Sequence, residues 1–94
     1  MIRVLIERHL ADGIEHEAEL ALMEARHEAM RIPGYISGET LRDLNDAQHY
    51  LVISTWRAAR DWEVWMASEQ RHHIMARVAP MLREPERVTV FEPL

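Results

Sequence analysis

In residues 2–10, I-R-V-L-I-E-R-H-L, apolar and polar side chains alternate: Ile2, Val4 and Ile6 take one face of an extended segment, and Arg3, Leu5, Glu7 and His9 the other. A period of two predicts a strand whose first face is apolar and whose second is only partly polar. Asp12 and Gly13 break it, with Asp12 placed to cap the next element. From Ile14 to Ile32 the period changes. Ile14, Ala18, Ala21, Leu22, Ala25, Ala29 and Ile32 recur at helical spacing, surrounded by Glu15, Glu17, Glu19, Glu24 and Glu28. A long amphipathic helix is expected there. Pro33-Gly34 ends it, because the residue before a proline is pushed out of the helical region and glycine tolerates positive φ.

Tyr35 to Leu41 and Gln48 to Trp56 read as two strands joined by the turn-forming D-L-N-D-A, hence a hairpin. In the second of them Tyr50, Val52, Ser54 and Trp56 share one face and Leu51, Ile53 and Thr55 the other, so both faces are largely apolar. Residues 58–67 return to helical spacing, Ser68 is a fresh N-cap, and residues 69–79 form a further helical segment ending at Pro80. After Pro85, R-V-T-V-F-E is a short final strand. The order is β-α-β-β-α-β, an α+β ferredoxin-like arrangement with an antiparallel four-stranded sheet and helices on one face. Helices can cover only that face. The apolar second face calls for a partner, most economically the same face of a second copy, so a homodimer is expected.

Ninety-four residues suffice for one domain, residues 1–94, that buries a modest core, which adds to the case for a second subunit. The net charge of -5, with all eleven basic residues arginines scattered along the chain, excludes the basic patch of a nucleic-acid binder. Cysteine is absent, which removes disulfides, thiolate metal sites and cysteine nucleophiles. The opening M-I-R-V-L-I-E-R has no signal-peptide core and no stretch long enough to span a bilayer, so a cytoplasmic protein with no membrane partner is expected.

The opening strand, the segment I-P-G-Y-I-S-G-E-T-L after the first helix, the strand L-V-I-S-T-W and the helix D-W-E-V-W-M-A-S together resemble the antibiotic biosynthesis monooxygenase family of dimeric α+β barrel proteins. That family includes cofactor-free oxygenases turning phenolic polyketides into quinones, haem-degrading enzymes, lactone isomerases and members without assigned activity, so fold does not settle chemistry. The oxygenase branch implies a pocket between helices and sheet with Val52, Trp56 and Trp62 on its wall. There a phenol is deprotonated and its anion itself reduces dioxygen in a water-poor cavity, with no cofactor. The haem-degrading branch places an asparagine on the first strand, a tryptophan on the second helix and a histidine some three turns later. Trp65 matches the tryptophan, but Ile6 stands at the strand position and Met75 near that of the histidine.

The expected pocket residues are Ile6, Tyr50, Val52, Trp56, Trp62 and Trp65, against the reading of the three tryptophans as core packing. His72 is the candidate base, because imidazole moves protons near neutral pH, against the reading of His72 and His73 as solvated side chains. Consecutive on a helix, the two point about 100° apart and cannot share a metal. Were the helix unbroken, His72 would fall on the face of Trp65 two turns on; a break at Ser68 would spoil that alignment. Glu7 and His9 are expected in a paired structural role at the dimer contact. H-E-x-x-H and Gly-rich phosphate motifs are absent. The function implied is a cofactor-independent oxygenase of a small phenolic or quinol substrate, with a haem-binding or haem-degrading protein and a non-catalytic small-ligand-binding dimer as the alternatives.

Overall fold

The computed structural model describes residues 1–94. Its frame is β1 (Ile2–His9), whose alternation sends Ile2, Val4 and Ile6 inward as expected and, by the same parity, Arg8. The strand β3 (Asp46–Trp56) pairs antiparallel with the whole of β1, Ile6 opposite Val52 and His9 opposite His49. Outside these lie β2 (Tyr35–Asp43) and β4 (Arg87–Phe91), giving the order β2-β3-β1-β4 in one antiparallel sheet. Helices α1 (Glu15–Ala29), α2 (Ala59–Met66) and α3 (Glu69–Val78) complete the chain, with a short 3-10 turn at Ala79–Met81 before β4. This is the ferredoxin-like α+β fold, with the second helix of the simple pattern divided in two. No helix is long and apolar enough to cross a membrane.

The core forms where the inward face of the sheet meets the helices. Ile2, Val4, Ile6 and Trp56 pack with Ala29, Trp62 and Trp65. A second group, Ala21 with Ile74 and Val78, joins α1 to α3. The buried positions of α1 are all alanines, Ala18, Ala21 and Ala29, and small side chains let that helix approach closely without filling the space beneath it.

Two local expectations change. Asp12 does not cap α1; Gly13 adopts φ 78°, Ile14 occupies the cap position without a side-chain bond, and the Asp12 carboxylate instead accepts from Gln48 Nε2 at the start of β3. The helix also stops at Ala29 rather than Ile32. Tighter i→i+3 bonds from Arg31 to Glu28 (3.2 Å) and Ile32 to Ala29 (3.0 Å) close its end ahead of Pro33, yet Ile32 still packs on the core. Gly34 then has φ 98°, and a Cβ there would run into the side chain of Asp61. Glycine is required on both counts.

The other face of the sheet carries no helix. Leu5, Leu51 and Ile53 are half-buried on it, and Leu41 and Phe91, on the same side by register, are exposed.

Candidate active site

Between the sheet and its helices lies a cavity of about 590 Å³, a size that suits a small organic molecule. Ile6, Tyr50, Val52 and Trp56 rise into it from the strands, and Trp62 and Trp65 close it from α2. All six sequence candidates therefore stand on one cavity wall. Trp56 is held edge-on between Tyr35 (centroids 5.2 Å apart) and Trp62 (5.7 Å), and its indole N–H donates to Ser54 Oγ at 3.0 Å. The wall is thus aromatic and fixed, with the Trp56 indole N–H already satisfied internally.

His72 is placed otherwise. α2 ends at Met66 and Ser68 starts α3 afresh: its Oγ donates to the Trp65 carbonyl (2.7 Å) and accepts from the Arg71 N–H (3.2 Å). That restart turns Arg71, Ile74 and Val78 inward, leaving His72 and His73 exposed and off the cavity wall. The condition under which His72 would share the face of Trp65, an unbroken helix, is not met.

Two charged groups that do reach the cavity are ones the sequence reading passed over. Arg8 and Arg71 line it although only 5% and 6% exposed, and both donate to Glu86, Arg8 Nε at 2.9 Å and Arg71 Nη2 at 2.7 Å. The Arg71 guanidinium also sits 5.7 Å from the Trp62 ring centre. Burial works to raise the Glu86 pKa, but the combined charge and hydrogen bonds of the two guanidiniums outweigh it and hold the carboxyl below its ordinary value. Burial pulls Arg8 below its usual value against the pull of Glu86; a guanidinium nonetheless stays charged. Two cations facing one carboxylate leave one positive charge unbalanced at this end.

Tyr50 forms a second polar point, its hydroxyl donating to Glu19 Oε1 at 2.5 Å. Burial, followed by the bond to Glu19 and its charge, raises the Tyr50 pKa, so it remains a neutral donor. Signals for part of this were in the sequence. Arg8 continues the inward parity of Ile2, Val4 and Ile6, and Arg71 precedes Ile74 and Val78 at helical spacing. Glu86 gave none, because it comes from the irregular segment before β4. No histidine lines the cavity, and the residues able to hold a metal ion, Glu7, His9 and His49, stand on the opposite face of the sheet.

Relatives share this architecture. Over 82 residues, 87% of this chain, the sequence is 24% identical to Protein SchA of Streptomyces halstedii. The chain spans about a fifth of the length of the curated relatives it matches. Among solved structures, an antibiotic biosynthesis monooxygenase superposes with a TM-score of 0.91 at 14% identity, covering 100% of this chain and 99% of the other. SnoaB, a cofactor-independent oxygenase from Streptomyces nogalater, does so with a TM-score of 0.86 at 15% identity, covering 99% and 93%. At such identities the superpositions speak for the fold alone. The sequence profile of the antibiotic biosynthesis monooxygenases, however, matches residues 1–77, most of the chain and nearly all of its cavity, and the chain therefore belongs to the antibiotic biosynthesis monooxygenase family.

Proposed function

We propose that the chain is a cofactor-independent monooxygenase acting on a small phenolic or quinol substrate held in this cavity. The observation that carries the reading is the pairing of a rigid aromatic wall with a buried end whose positive charge exceeds its negative charge. The wall, Ile6, Val52, Trp56, Trp62 and Trp65, takes the ring. The charged end takes the oxygen. Beside Arg8 and Arg71 a phenol ionises well below its ordinary pKa of about 10, and Glu19, reached directly or through the Tyr50 hydroxyl, accepts the proton.

The substrate anion supplies every electron. It reduces dioxygen, which bonds to the ring carbon para to the phenolate oxygen as a hydroperoxide; the O–O bond then breaks, that carbon loses its hydrogen, and water leaves. A phenol plus dioxygen becomes a quinone plus water, with no external reductant. The protein's part is to hold the ring, stabilise the anion and keep water away. Similarity to SnoaB supports the reading. A haem seated in the cavity would meet no imidazole on its wall; the side chain near the position that the haem-degrading relatives give to histidine is Met75, whose sulfur lies 4.0 Å from Arg8 Nη2.

The uncovered sheet face, with Leu5, Leu51 and Ile53, supports a two-fold homodimer built by packing two such faces together. The deciding experiment is oxygen uptake by chelator-treated protein across phenols and hydroquinones. Turnover that falls at least tenfold in Arg71→Met and Trp56→Phe is expected. If no substrate gave uptake above buffer while small phenols still bound, a non-catalytic ligand-binding protein would be the better account. A sharp Soret band on adding hemin would favour the haem alternative.

A further inference from the structure

We infer that Glu7, His9 and His49 form a binding site for a first-row transition-metal dication, zinc foremost, on the sheet face away from the cavity. The three come together through strand geometry alone. Glu7 and His9 are two residues apart on β1 and so share a face, and His49 stands directly opposite His9 in the last pair of the β1–β3 ladder. One ligand atom from each lies within 4.8 Å of the others.

His49 is prepared for a metal. Its Nδ1–H donates to Asp43 Oδ2 at 2.9 Å, and since a carboxylate only accepts, the neutral ring carries its lone pair on Nε2. A carboxylate behind an imidazole fixes the tautomer and orientation of metal-binding histidines. Nε2 is buried and has no hydrogen-bond partner, a costly state for a polar atom that a bound cation would relieve. It lies 3.6 Å from Glu7 Oε2, close to the separation of about 3.4 Å between two ligand atoms on a tetrahedral zinc ion with bonds of about 2.1 Å. The His9 ring stacks on His49 at 4.3 Å with the planes 7° apart, so its lone pair meets the ion once the ring turns about its side-chain torsions, and Glu84 stands 3.2 Å from its Nε2.

The surrounding charge favours a cation. Glu7, Asp43 and Glu84 bring three carboxylates to the two imidazoles. Arg87 faces Glu7 from β4 without forming an ion pair with it. Two imidazoles and one carboxylate suit zinc, cobalt, nickel or copper rather than magnesium or calcium, and leave a fourth position for water or another side chain. The site is independent of the chemistry proposed for the cavity.

The test is a titration of the chelator-treated chain with cobalt(II), read by its visible ligand-field absorption, followed by displacement with zinc and by calorimetric stoichiometry. One ion per chain is expected. His49→Ala, His9→Ala and Glu7→Gln should each weaken binding at least tenfold, and Asp43→Asn about tenfold or more; His72→Ala and His73→Ala should leave it unchanged. Circular dichroism of each variant separates loss of the site from loss of the fold, and His49→Gln keeps the size of the side chain should His49→Ala fail to fold. Absence of a saturable cobalt spectrum at micromolar protein would overturn the inference. So would binding that survives in both His9→Ala and His49→Ala, which would mark the ion as held by the other histidines.

Discussion

Replacing Glu86 by glutamine removes the carboxylate that holds Arg8 and Arg71 together. In the native chain its two oxygens accept at 2.9 and 2.7 Å from guanidiniums whose side chains are 6% and 7% exposed, Glu86 itself being 16% exposed. Glutamine keeps one acceptor but cancels the charge, leaving two buried cations facing each other. Removing one partner of a buried ion pair costs roughly 3–5 kcal/mol. With one acceptor retained, the lower end, about 3 kcal/mol, is expected, which for a chain of this size lowers Tm by about 12 °C or more. The loss should also depend on pH. The Glu86 pKa lies below its unfolded value of about 4.3, so its contribution is present above that pH and disappears as pH falls through the folded value. Urea denaturation followed by tryptophan fluorescence, at pH 7 and at stepwise lower pH, reads both effects. A gap of about 3 kcal/mol between wild type and Glu86→Gln that narrows in acid is predicted. A gap under about 1 kcal/mol at pH 7, or one that widens in acid, would refute the charge balance on which the substrate-anion site rests.

Three further outcomes follow from the fold. Ser68→Ala should cost about 1 kcal/mol by urea denaturation, the usual worth of a serine N-cap. Gly34→Ala should destabilise by about 1–2 kcal/mol from the left-handed backbone alone, and more through Asp61, so the Gly34→Ala, Asp61→Ala pair should melt above Gly34→Ala. If the open sheet face is the dimer contact, Ile53→Glu should yield a mass near 11.1 kDa by light scattering where the native chain gives twice that.

The fold was legible because each element announces its period. Alternation marked β1 and β3, helical spacing marked α1, and Pro33-Gly34 and Ser68 marked breaks that the structure contains. Ends were read less well. Asp12 is a good capping residue in sequence, but a positive φ at Gly13 moves the helix start past it. The aromatic wall could be read from parity and spacing, since strand and helix periodicity fix which side chains face inward. The charged end could not be assembled in the same way. Arg8 and Arg71 sit at inward positions by periodicity, yet arginine ordinarily snorkels to solvent, and only the long-range approach of Glu86 from before β4 makes burying them tolerable. His72 shows the reverse: suitable chemistry at a position whose direction hangs on a single helix break. Across the sheet, His9 and His49 are forty residues apart in sequence and meet only through the β1–β3 register.

On the function proposed above, the cavity oxygenates a phenolic ring using electrons from the substrate alone. Turnover of a phenol with hydrogen para to its hydroxyl under isotopically heavy dioxygen, by chelator-treated protein without added cofactor or reductant, tests it most directly. The account predicts a quinone carrying one heavy oxygen atom, the second appearing in water, and at least a tenfold loss in Arg71→Met. Product with no heavy oxygen, or turnover that requires an added cofactor, would contradict it.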